Sequence, residues 1–285
     1  MNELAQHLKS TTCAQARAFE ASRFRSQWLP LVPGWPRSVN GTGTSDYHYA
    51  FNNLFVSHAL KAVYVANQKA GSRTIINLLE QYGTVHVYSI PYSETWQSRA
   101  WTWPAQLRSY LLFTFVRDPL QTFLSGVSEI AGRHFRQFPT ACPTAGSRSP
   151  TFMSVKCGGN VLSPFFEDVR ARRCIGTQAY HVWPQVAKLD VRVPWPLDFV
   201  GRVEWLEDDM ARLLSLLQVA HADLSARLKR LNDNTTNLNR CGEVIHLETA
   251  LVGRGTPMRA ALCELLKADY ACGFAPPGDG GLCAL

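Results

Sequence analysis

The sequence predicts an α/β protein with three layers, a central parallel sheet covered by helices on both faces, in one domain. Short apolar runs of strand length alternate with segments of helical spacing, the order that parallel βαβ units require. Of 285 residues, 46% are hydrophobic and only 18% charged. That is enough apolar surface to fill a sizeable core, and it excludes a disordered chain.

In chain order, residues 1–45 read as an N-terminal extension. A short amphipathic helix over 4–24 is followed by linker chemistry at Pro30, Pro33, Pro36 and residues 41–45. Residues 46–285 are expected to form the single domain. Ala62-Val63-Tyr64-Val65-Ala66 reads as a buried strand, and the polar loop 67–73 follows it. A helix is expected over 74–82, with Gly83 past its end. Strands follow at 84–90 and 111–116. Asp118 suits a helix N-cap and Pro119 the first helical position, so a helix should run to about residue 133. Its stripe is Leu120, Phe123, Leu124 and Val127. Residues 136–160, rich in Pro, Gly, Ser and Cys, read as a long excursion over the active-site face. A strand at 197–203 and helices at 207–220 and 257–271 complete the pattern.

The formal charge of +7 favours an anionic ligand. The arginines are scattered, without basic runs or interleaved aromatics, which argues against nucleic acid. None of the eight cysteines forms a C-x-x-C pair, so neither a zinc site nor a thioredoxin-like motif is expected. Their even number, with sequons at Asn40-Gly41-Thr42 and Asn234-Thr235-Thr236, hints at a secretory compartment. Residues 1–19 lack a signal-peptide core, and no apolar run is long enough to span a membrane. The expectation is a chain without a membrane anchor. Either an anchor lies upstream of Met1, or the protein is cytoplasmic.

The loop after the strand at 62–66 carries the first chemistry. A loop running from a buried strand into a helix N-terminus presents backbone N–H groups and a positive dipole end. Lys69, Ala70, Gly71, Ser72, Arg73 and Thr74 surround that point, and an anion such as phosphate or sulfate should sit there. An ATP-binding P-loop needs G-x-x-x-x-G-K-[ST]. Here the lysine precedes the only glycine. Arg117, ending the strand at 111–116, should face the same crevice and hold a second anionic group, with the Ser125 hydroxyl donating to it. Two anion sites suit a ligand phosphorylated at both ends.

These residues resemble a known family. Tyr64-Val65-Ala66-Asn67-Gln68-Lys69-Ala70-Gly71-Ser72 is similar to the 5′-phosphosulfate loop of Golgi-type carbohydrate sulfotransferases. Phe113-Thr114-Phe115-Val116-Arg117-Asp118-Pro119, with Leu124-Ser125, resembles their 3′-phosphate motif. His181-Val182-Trp183-Pro184-Gln185, Phe199 to Glu204 ahead of Glu207-Asp208-Asp209, and Ala268-Asp269-Tyr270 with Gly273-Phe274 agree in order, so the resemblance spans 61–274. It implies a nucleotide-kinase-like fold of P-loop type and sulfuryl transfer from 3′-phosphoadenosine 5′-phosphosulfate (PAPS) to a carbohydrate hydroxyl, without a metal. The product nucleotide would be adenosine 3′,5′-bisphosphate. By the same resemblance the compartment is the Golgi lumen, if an upstream anchor is missing from this chain.

Lys69 is then expected at the leaving oxygen, residues 70–74 at the phosphosulfate, and Arg117 and Ser125 at the 3′-phosphate. For the general base, His86 ranks first because its placement resembles the catalytic histidine of uronyl 2-O-sulfotransferases. Glu94 and His181 follow. Competing readings are a kinase using ATP and Mg²⁺ on the same fold, and a non-enzymatic module binding anionic polymers. Trp96, Trp101 and Trp103 are candidates for stacking on acceptor sugars.

Overall fold

The structure, a computed structural model, describes residues 10, 12–16, 53–89, 105–129, 181–182, 184–190, 197–234, 257–275 and 283. They fall in two compact units. The first takes residues 1–11, 36–117 and 188–237, and the second takes 12–35, 118–187 and 238–285.

The first unit is built on a five-stranded sheet. Its strands are β1 (Asn53–Ser57), β2 (Ala62–Val65), β3 (Val85–Ser89), β4 (Leu111–Val116) and β5 (Phe199–Arg202), in spatial order β3-β1-β2-β4-β5. The centre is parallel as the sequence implies: β2 pairs with β4 through Tyr64↔Phe113, and β4 with β5 through Thr114↔Val200. One strand departs from the expected layout. β1 runs antiparallel between β2 and β3, in register Val56↔Val63 and Val56↔His86. Because β1 reverses once on each side, β3 still points the same way as β2, β4 and β5.

Alternation on the strands sorts the core. Tyr64, Phe113, Phe115 and Phe199 project to one face and pack with Ile75, Leu78 and Leu79 of α1 (Ser72–Glu80). Met210, Leu213 and Leu214 of α4 (Leu206–Leu216) and Leu224 and Leu228 of α5 (Leu224–Asn234) join the same cluster. The alternate residues Val63, Val65, Val116 and Val200 are buried as well. A strand buried on both sides must be uniformly apolar, which is why β2 and β4 are legible as short unbroken runs. At the amino-terminal edge, Asp198 locks β5 to β4: its backbone N–H donates to Leu112 O, and its carboxylate accepts from Leu112 N, both at 2.8 Å.

In the second unit, α2 (Pro119–Glu129) begins as the sequence predicts. The N–H of Gln121 donates to Asp118 Oδ1 at 2.9 Å, a side-chain N-cap. Gly126 backs onto the carbonyl of His181, where a Cβ would collide with that oxygen. The short α3 (Gln185–Asp190), of which residues 185–187 belong to this unit, is capped from far away: the Asp269 carboxylate accepts from the N–H groups of Gln185 and Val186, each at 2.8 Å. Asp269 lies on α6 (Pro257–Ala271), whose end closes with Phe274 N donating to Asp269 O and Gly273 N to Tyr270 O. Disulfides join Cys13 to Cys272 and Cys263 to Cys283, and among the described residues no cysteine is free. No described helix is long and apolar enough to cross a membrane.

Candidate active site

The loop between β2 and α1 is shaped by its backbone. Lys69 (φ 68°) and Gly71 (φ 69°) both take left-handed conformations on either side of Ala70. Glycine adopts this conformation without penalty and lysine rarely does. The loop is tied from below. Asn67 O accepts from Ala70 N at 3.2 Å and from Ser72 Oγ at 2.6 Å, and Tyr64 Oη donates to Ser72 Oγ at 3.2 Å. The buried amide of Asn67 donates to Phe115 O on the neighbouring strand at 3.2 Å. Thr114 Oγ1 donates to Val65 O at 2.7 Å. These two side-chain bridges clamp the carboxyl ends of β2 and β4 together.

Gly71 is the N-cap residue of α1, and no side chain caps the helix. A Cβ on Gly71 would stand 3.4 Å from Val203 Cγ2, so the turn after β5 presses against the loop from one side. Val203 is held in turn by the residue before it. The buried Asp209 carboxylate accepts the backbone N–H of Arg202 at 2.7 Å, and the Arg202 guanidinium lies 5.6 Å from the Trp205 ring. Burial raises the Asp209 carboxyl above its ordinary value, against the lowering effect of the Arg202 N–H and the Arg212 and Arg202 charges.

Arg117 follows the last residue of β4, half-buried, two residues beyond the carbonyl that Asn67 reaches. The structure therefore sets Arg117 and the Lys69 loop on the adjacent carboxyl ends of two parallel strands, the position at which open α/β sheets bind ligands. Ser72 and Thr74 lie half-buried in the first turn of α1, with Arg73 exposed between them. Ser125 is half-buried on α2 and His181 buried beside Gly126, both within the second unit.

The loop and the β4–α2 junction accompany a family match. The model of the sulfotransferase family matches residues 52–270. The chain belongs to the sulfotransferase family. Sulfuryl transfer in general is thereby its chemistry, on a mixed α/β fold. No curated protein and no solved structure shows significant similarity to this sulfotransferase.

The structure does not bring His86 to the loop. His86 is the second residue of β3, level with Val56 and hence with Val63 near the start of β2. It lies two strands from β2, about 10 Å sideways, at the amino-terminal edge of the sheet, whereas Lys69 lies past the carboxyl edge. Placement near the start of a strand is itself a sequence signal for the far edge. Glu94, Trp96, Trp101, Trp103 and the excursion at 136–160 lie outside the described residues.

Sequence reasoning passed over Tyr64 and Asn67 as site residues. Both lie inside the quoted loop motif, and a buried asparagine ending an apolar strand is the signal that its amide has a structural task. Val203 and Asp209 lie inside the quoted block from Phe199 to Asp209, but the approach of Val203 to Gly71 and the hold of Asp209 on the Arg202 N–H arise only in the folded chain.

Proposed function

We propose that this sulfotransferase moves a sulfuryl group from PAPS to a carbohydrate hydroxyl. The observation that carries the reading is the loop itself: a lysine and a glycine, both left-handed, lead into a helix without a side-chain cap, beside an arginine on the next strand. The helix N-terminus and its amides suit a sulfated 5′-phosphate, and Gly71 takes the left-handed conformation there that a side chain would strain. Arg117 suits the 3′-phosphate by bidentate hydrogen bonding, with Ser125 assigned to the same group by its place in the motif. The carbohydrate acceptor rests on the resemblance of these motifs to Golgi-type enzymes.

In this reading the acceptor oxygen bonds to sulfur as the bond from sulfur to the bridging phosphate oxygen breaks. Lys69 meets the charge that grows on that leaving oxygen, and residues 70–74 fix the group for in-line attack. The acceptor proton passes to a base, for which Glu94 and His181 are the remaining candidates.

The deciding experiment is thermal unfolding with adenosine 3′,5′-bisphosphate and with AMP, followed by transfer of labelled sulfate from PAPS to an acceptor panel. A ligand at a hundred times its Kd adds about 2.7 kcal/mol of stability. The bisphosphate should therefore shift Tm well above AMP, which cannot engage Arg117. Equal shifts refute the donor. Turnover should survive EDTA; loss of activity restored by Mg²⁺ would favour phosphoryl transfer from ATP instead.

A further inference from the structure

At the amino-terminal edge of the sheet, away from the Lys69 loop, three polar rings meet. His58 follows β1, His86 is the second residue of β3, and Tyr110 immediately precedes β4. The His58 and His86 rings have centroids 5.2 Å apart, and both side chains are exposed. His58 Nδ1 and the Tyr110 hydroxyl are hydrogen-bonded at 2.8 Å, with the two rings edge to face at 5.6 Å. The proposed transfer site at the Lys69 loop gives none of them a role.

We infer that His58 and His86 form a binding site for one divalent transition-metal ion of the imidazole-preferring kind, with Tyr110 positioning His58. Two imidazoles share an ion when their nitrogens are no farther apart than about 4 Å, twice the usual metal–nitrogen distance of about 2.0–2.1 Å. With centroids 5.2 Å apart, the facing edges of the two rings lie within that reach. The tyrosine bond commits Nδ1 of His58 and directs coordination to Nε2, as second-shell partners of metal-bound histidines do. The supports are stiff. His86 is fixed by its pairing with Val56, and His58 stands one residue past the end of β1. With two protein nitrogens and water completing the shell, affinity should follow the usual order and be highest for Cu²⁺, with Zn²⁺ weaker. A sheet edge one strand-length from the donor loop leaves such an ion out of the transfer step.

The test is titration of the full chain with Cu²⁺ at neutral pH in a non-coordinating buffer, followed by calorimetry and electron paramagnetic resonance. One equivalent should bind with two nitrogen donors, and Zn²⁺ should displace it only in large excess. His58→Ala and His86→Ala should each weaken that equivalent at least tenfold, and the double variant should lose it. Tyr110→Phe should weaken binding severalfold without changing the Tm of the metal-free protein, which separates positioning from packing. Should the alanine variants fail to fold, copper broadening of the ring-proton signals of the wild-type protein answers instead, with His58 and His86 affected together and first. A double variant that binds copper as the wild type does, a spectrum with a single nitrogen donor, or broadening that spares either ring overturns the site.

Discussion

Lys69 holds a backbone conformation that costs a side-chain-bearing residue roughly 1–2 kcal/mol, and it does so in the loop where charge is expected to develop. Lys69→Gly should therefore raise the unfolding free energy, by up to about 1 kcal/mol after the entropy cost of glycine, while sulfuryl transfer collapses. Lys69→Ala should lose kcat without that gain. Denaturant unfolding and steady-state kinetics on both variants check the pair, and a Lys69→Gly protein no more stable than the alanine variant would deny the strain. Arg117, assigned to a phosphate that does not react, should show the opposite kinetic signature. Arg117→Ala should raise KM for PAPS, by losing a charge-assisted bond worth about 1.5–3 kcal/mol, with kcat less affected. His86→Ala should keep kcat within a small factor, since its strand start lies at the far edge; a dead variant would return it to the list of bases.

Among the elements, legibility followed burial. β2 and β4 are unbroken apolar runs because both faces are covered, and α2 announces itself through Asp118 and Pro119. β1 escaped because Asn53 and Ser57 frame only three apolar residues. Its turn to β2 also lacks glycine and proline, Lys61 taking the left-handed position instead (φ 49°). Helix α5 escaped although Leu224, Leu228 and Leu231 keep helical spacing. The links between distant motifs were beyond sequence reading, since they are carboxylates accepting backbone N–H groups across the fold. Asp269 caps α3, 84 residues away, and Asp198 holds the N–H of Leu112, 86 residues away. Asp209→Ala should cost about 1–3 kcal/mol by orphaning a buried N–H, and should also loosen the turn against Gly71. Asp209→Asn should cost less, because burial already disfavours the charged carboxyl and the amide oxygen still accepts. Chemical denaturation of the two variants separates them; equal losses would mean that the charge itself matters.

The whole molecule carries its pH limits in buried phenols. Burial, foremost, raises Tyr270, reinforced by Asp118 and Asp269, and burial likewise raises Tyr82 against the Arg227 charge. The unfolded chain releases these protons near pH 10, while the folded chain holds them to higher pH. The folded state thus binds more protons there, and stability should fall as pH rises beyond about 10; a flat Tm through that range would contradict it. Reduction should also lower Tm, since losing a native disulfide commonly costs about 2–5 kcal/mol. Neither compact unit is a continuous stretch of chain, so neither can be expressed by a single cut. The bridge from Cys13 to Cys272 has a temporal consequence as well. Its partners are 259 residues apart, and at about 5–20 residues per second on the ribosome the first thiol waits roughly 13–50 s for the second. During that wait Cys142, Cys157, Cys174, Cys241 and Cys263 emerge ahead of it. The nascent chain must therefore either keep Cys13 reduced until synthesis is nearly finished or pass it through earlier partners and exchange them, and only the second route calls for thiol exchange.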